Sequence, residues 1–166
     1  MCNASAFDKV FVSNIFETNK DRVKILGCKD VNYGGIGSNF PLNVLPDEIE
    51  RLQPFYFPNE NMSYGFITRG CIRNCYFCKV PKFEGKLRKV ADVWDLVKHD
   101  SIYFLDNNIL AYDGCIDVFK WLYEHNIKCN FNQGLDYRLV TEEKLKWLSK
   151  LRYDTNYIFA FDDINY

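Results

Sequence analysis

Three cysteines, Cys71, Cys75 and Cys78, stand at the spacing C-x3-C-x2-C within residues 64–79, YGFITRGCIRNCYFCK. Thiolates gathered on one short segment are the donors that a soft metal ion or an iron–sulfur cluster selects. A continuous helix or strand would splay them, so the spacing predicts a tight loop, with Gly70 supplying backbone freedom at its mouth. A structural zinc site takes four protein ligands, usually as two pairs. This chain has no second C-x2-C, and its two histidines, His99 and His125, stand far apart. Two readings stay open on the residues alone. One is a cubane cluster held by three thiolates, which leaves one iron for a small molecule. The other is a three-cysteine zinc knuckle completed by a remote ligand.

The motif resembles the signature of the radical SAM superfamily, C-x3-C-x-aromatic-C, with Phe77 in the aromatic position. The resemblance implies a [4Fe-4S] cluster on Cys71, Cys75 and Cys78. Its open iron would chelate the amino and carboxylate groups of S-adenosylmethionine. One-electron cleavage would then give a 5′-deoxyadenosyl radical that acts on a substrate the motif does not name. A reductant protein of flavodoxin or ferredoxin type is the partner this implies.

The elements that must position such a loop can be read from periodicity. Residues 64–68 predict a strand that delivers the cysteines at its carboxyl end. Val90, Val93, Trp94 and Val97 repeat as one face of a helix, and the apolar run 102–105 reads as a buried parallel strand. Asp113 can cap a second helix with Ile116, Phe119, Leu122 and Tyr123 inward and Asn126 closing it. Residues 129–131 make a third strand. Thr141 caps a third helix, with Glu142 and Glu143 in its first turn and Leu145, Leu148 and Leu151 inward. Residues 157–161 read as a fourth strand. Alternating strands and helices predict an α/β fold with a parallel sheet.

The resemblance covers about residues 64–166 and implies a partial (βα) TIM-like barrel, of which this chain would hold the first four strands. The family's last two βα units have no counterpart here, so an N-terminal part of a longer barrel is expected, with a barrel completed by a partner as the alternative. Residues 63–166 would form that core and residues 1–62 a short α+β leader. In the leader, 10–12 and 23–26 suggest strands, 32–37 a glycine-rich turn, and 46–52 a short helix opened by proline and acids. The cobalamin signature Asp-x-His-x-x-Gly is absent, so cobalamin is not expected.

Ligands of parallel α/β folds sit at the carboxyl ends of strands. The first end presents the cysteines and Phe77, which the resemblance places against the adenine of the cofactor. The second presents Asp106, Asn107 and Asn108 where the family has a Gly-Gly-Glu-like segment holding the methionyl amino group. The glycines are missing here, and a β-turn would favour the same residues. The third presents Asn132, Gln133 and Arg138. The first two could reach the cofactor's carboxylate or ribose. Arg138 could take a carboxylate or phosphate, or simply pair with Asp136. The fourth presents Asp162, a candidate acceptor for ribose hydroxyls.

Composition narrows the partners. The net charge is −1, which excludes a polyelectrolyte role for the whole chain. Charge is nevertheless uneven, with seven basic residues against Glu84 alone between Arg69 and Lys89. That rim suits an anionic cluster or a nucleic acid, and equally an ordinary solvated loop. No apolar run nears the roughly 20 residues of a membrane span, and no signal-peptide pattern opens the chain, so a cytoplasmic protein is expected. Seven cysteines, an odd number in a chain with an ample core, argue against a secreted disulfide scaffold. Three further functional readings follow: a tRNA methylthiotransferase-like enzyme, a zinc-bound module acting on nucleic acid, and a cluster-binding fragment without catalysis.

Overall fold

A computed structural model of the chain describes all residues except 1, 15, 17, 19–21, 36–44, 51, 53 and 161–166. Two compact units are present, Met1–Leu52 and Gln53–Tyr166. The first holds β1 (Cys2–Asn3), β2 (Lys9–Ser13), β3 (Ile25–Leu26), β4 (Asp30–Gly34) and the single-turn helix α1 (Asp47–Glu50). β1 pairs with β3, and β2 with β4, both in parallel. The expected turn at 32–37 is corrected in part. Asn32, Tyr33 and Gly34 are ladder residues of β4, because Phe11, Val12 and Ser13 offer them parallel partners; residues 36 and 37 lie outside the described ones.

The second unit is organised by a four-stranded sheet of β5 (Ser63–Gly65), β8 (Ser101–Phe104), β9 (Lys128–Phe131) and β11 (Arg152–Tyr153). Their spatial order is β11-β9-β8-β5, and every neighbouring pair is parallel. β8 and β9 alternate in burial: Ile102, Phe104, Cys129 and Phe131 point into the core. Phe104 and Phe131 stack at 5.5 Å across the two strands, the cross-strand contact that fixes their register.

Helices α3 (Val93–Leu96), α4 (Cys115–Glu124) and α5 (Glu142–Leu148) add to that core, together with Ile67, Ile109, Leu110, Leu135 and Leu151. α4 buries Cys115, Val118, Phe119 and Leu122 on one stripe, while Ile116 is partly buried and Tyr123, expected inward, is exposed. Its end is closed by Asn126 at φ 55°, a left-handed position that asparagine tolerates. Thr141 caps α5 by accepting from the Lys144 backbone amide at 3.3 Å. Gly114, not Asp113, stands at the N-cap of α4.

Two expected elements take different forms. The helix expected from Val90 to Val97 is a single turn, since Asp92 and Val97 on either side are extended. Val93 and Leu96 are buried, while Trp94 is 57% exposed. The fourth place in the sheet belongs to Arg152 and Tyr153 rather than to the apolar run at 157–161. Among the described residues of that run, β12 (Phe159–Ala160) is a strand, and it pairs in parallel with β10 (Leu135–Asp136), which follows β9 closely. Asp154 N donates to Cys129 O, and Tyr153 stacks on Tyr157 at 3.8 Å, so the chain bends between the two short ladders.

Candidate functional site

The cysteine loop leaves β5 through β6 (Thr68–Arg69), which pairs antiparallel with β7 (Arg88–Lys89). The loop is therefore closed at its base, and Cys71 N donates to Gly85 O at 3.2 Å. Gly70 sits at φ +80°, and a Cβ there would lie 2.3 Å from Lys86 O. Only glycine fits both the dihedral and the space. Beyond the motif, the short helix α2 (Val80–Phe83) has Pro81 in its first turn, where the missing amide does no harm.

Asp106 holds the loop from below. Its carboxylate is buried and accepts from Ile67 N at 3.1 Å, Thr68 N at 2.6 Å and Thr68 Oγ1 at 2.7 Å. Burial pushes its carboxyl above the ordinary carboxylate range, against the lowering effect of the Thr68 and Ile67 bonds. Asp106 fastens the end of β8 to the strand that enters the cysteine loop. It does not line the cleft described next, which corrects its expected place as an acceptor open to a ligand.

The cleft has a volume of about 200 Å³ and opens at the carboxyl ends of β5, β8 and β9. Cys71, Cys75, Cys78 and Phe77 line it from the first end, Asn107 and Asn108 from the second, and Gln133, Asp136 and Arg138 from the third. All three cysteines are free thiols and partly buried. Phe77 is 54% exposed and meets Tyr76 edge-on at 5.2 Å. Asn132 is exposed and does not line the cleft. Asp162 lies outside the described residues.

Three side chains that spacing alone does not single out bind this arrangement together. Glu84, the one acid of the basic stretch, accepts from Gly70 N at 2.9 Å and Asn107 Nδ2 at 2.8 Å, and pairs with Arg69 at 3.4 Å. Arg73, inside the motif, reaches Asp136 Oδ2 at 3.0 Å. Asp136 is buried and also accepts from Arg138 Nε at 2.7 Å and Asn108 Nδ2 at 3.3 Å. Burial acts to raise the Asp136 carboxyl, but the bonds from Arg138 and Arg73 outweigh it and hold the group below the ordinary range. The Asp136–Arg138 pair is therefore part of the cleft wall. A sequence signal existed for two of the three: an arginine between motif cysteines, and a single acid among seven cations.

Part of the basic stretch is paired within the chain, at the surface as well as in the cleft wall. Arg69 and Arg73 serve Glu84 and Asp136, Arg88 donates to Glu84 O, and Lys89 pairs with Asp92. Lys79, Lys82 and Lys86 are exposed.

The donor set fits an iron–sulfur cluster in kind: three free thiols on one loop, facing one cleft with two guanidiniums nearby. Among the described residues, no three His, Cys, Asp or Glu side chains are gathered closely enough to share one metal ion. A cubane makes no such demand, because each thiolate binds its own iron. His99 and His125 are occupied elsewhere. His99 Nδ1 is 3.1 Å from Ser63 Oγ, and the ring of His125 stacks on Trp121 at 4.0 Å. Cys115 and Cys129 are buried in the core, and burial pushes the Cys129 thiol up to about 12.

The second unit thus joins a four-stranded parallel sheet to a three-thiol cleft at the carboxyl ends of its strands. Over 60 residues the chain is 42% identical to a protein of Methanocaldococcus jannaschii named "Putative methylthiotransferase MJ0865". The match takes in 36% of this chain and 12% of that relative's length. No family model matches the chain. No solved structure matches it significantly. Among the described residues, no helix is long and apolar enough to cross a membrane.

Proposed function

We propose that this chain is a radical SAM enzyme, or part of one, and that its parallel sheet forms the first strands of a partial (βα) barrel. The observation that carries the reading is the meeting of Cys71, Cys75, Cys78 and Phe77 with Asn107 and Gln133 on one cleft. Cys71, Cys75 and Cys78 would hold a [4Fe-4S] cluster. With S-adenosylmethionine bound, that cluster supplies one-electron cleavage of the sulfonium to a 5′-deoxyadenosyl radical. The protein's own residues do the positioning. Phe77, which lines the cleft, would take the adenine. Asn107, fixed by Glu84, and Gln133 present amides to the polar end of the cofactor. Arg73 and Arg138 set two guanidiniums against one carboxylate, which favours an anionic occupant. A flavodoxin- or ferredoxin-type protein would supply the electron.

The named relative supports this reading at the level of the superfamily, to which methylthiotransferases belong, over a short part of its length. A narrower alternative is a methylthiotransferase acting on tRNA: the relative's name supports the methylthiotransferase part alone, and exposed Lys79, Lys82 and Lys86, close in sequence to the cysteines, offer cations for phosphates.

Anaerobic reconstitution with iron and sulfide tests the proposal. A brown protein with about four irons per chain, colourless when the three cysteines are replaced by alanine, is the expected result. Dithionite and S-adenosylmethionine should then yield 5′-deoxyadenosine. Zinc held without colour would favour an interaction module, and a cluster that yields no nucleoside would favour a fragment without catalysis.

A further inference from the structure

We propose that Asn108 tunes the reduction potential of the cluster by donating an amide N–H to the Cys71 thiolate. The inference rests on the cluster reading above and goes beyond it. Asn108 is 4% exposed and lines the cleft beside the cysteines. Its Nδ2 carries two hydrogens, and the structure gives that nitrogen two acceptors. One is Asp136 Oδ2 at 3.3 Å, and the other is Cys71 Sγ at 3.9 Å. The orientation of the amide is not arbitrary. Turned over, it would set Oδ1 against both a carboxylate and a thiolate. Asp136 is itself fixed by Arg73 and Arg138, so the amide stays aimed at the sulfur.

Oδ1 of Asn108 is buried and has no hydrogen-bond partner among the described residues. A residue retained only for packing would be expected to satisfy both ends of its amide or to be apolar. This one instead holds an N–H on a sulfur and leaves its acceptor idle. Reduction places further negative charge on the cluster and its sulfurs, and a donor in a half-dry cleft stabilises that charge. Asn108 therefore raises the potential at which the cluster accepts its electron. It is a positioning residue that acts through Cys71.

The test is an EPR-monitored redox titration of the anaerobically reconstituted full chain, poised with dithionite, for wild type, Asn108→Leu and Asn108→Asp. Leucine removes the donor at similar volume. Aspartate keeps the shape and turns a donor into an acceptor, so the pair remains informative if one variant folds poorly. Both should keep their iron and shift to lower potential, Asp further than Leu. The leucine variant should show about a tenfold lower ratio of reduced to oxidised cluster at a fixed poise. Full iron with an unmoved midpoint in both variants would overturn this inference while leaving the cluster reading intact. Loss of iron in both would make Asn108 a residue of assembly and overturn tuning. A wild-type chain that binds no cluster would overturn both.

Discussion

Arg73 Nε lies 3.0 Å from Asp136 Oδ2, a bond that crosses 63 positions of sequence. It fastens the middle of the cysteine loop to the strand end opposite. The other ties on the loop act at its base and mouth: the β6–β7 ladder, the Asp106 bonds, Glu84 on Gly70 N and Asn108 on Cys71. The thiols are thus set by contacts made from two other strand ends.

Replacing Asp136 by asparagine removes the charge from this wall while keeping its shape. A hydrogen bond to a charged group contributes about 1.5–3 kcal/mol, and a loss in that range is expected in urea unfolding at neutral pH. The variant should also lose part of the acid limb of stability. The folded-state pKa of Asp136 lies below its ordinary 3.8. Its contribution is therefore complete above that value and disappears as pH falls through the folded-state value. Comparing wild type with the variant isolates this group from Asp106, whose burial shifts its carboxyl the other way. Identical acid limbs in the two proteins would contradict the assignment.

Glu84 ties Gly70 N and Asn107 Nδ2 to one oxygen. Glu84→Ala should loosen the mouth of the loop, and outer contacts of this kind typically change metal affinity by 10–100-fold. After reconstitution, iron retained against a chelator should fall by about tenfold, with Glu84→Gln intermediate. Retention equal to wild type in the alanine variant would remove Glu84 from this role.

Gly70 and Gly85 share left-handed dihedrals, φ +80° and +76°, but not their surroundings. A Cβ on Gly70 meets the backbone oxygen of Lys86 at 2.3 Å, while one on Gly85 meets nothing within 4 Å. Gly85→Ala should therefore cost only the conformational term, roughly 1–2 kcal/mol. Gly70→Ala should cost more than that and should also reduce iron uptake. Thermal unfolding of the two variants, measured side by side, decides it.

The five cysteines of the second unit should separate into two classes under alkylation at neutral pH without metal. Cys71, Cys75 and Cys78 are partly open to the cleft, whereas Cys115 and Cys129 are closed in the core. Iodoacetamide followed by peptide mass analysis should modify the loop thiols in the native protein. The core pair should react only after denaturation, because burial holds both thiols in the unreactive protonated form. Early labelling of Cys129 would argue against the packing of β9.

The gathering of three thiols on one loop was legible in the chain because it is local. Three thiols within eight positions, an adjacent aromatic residue and a glycine at the mouth are fixed by spacing alone. The strands at 101–104 and 128–131 and the capped helix at 142–148 were legible for a similar reason, since periodicity and capping act over one or two turns. The split of the fourth strand was not legible, because Arg152 and Tyr153 carry no apolar pattern and are strand only through pairing with Lys128 and Cys129. Nor could the sequence divide labour among neighbouring polar residues. Asp106, Asn107 and Asn108 are consecutive, yet one is buried under Thr68, one is tied to Glu84 and one faces Cys71. Spacing gathers donors on a segment; only long-range packing decides which of them face the cleft and which hold the walls in place.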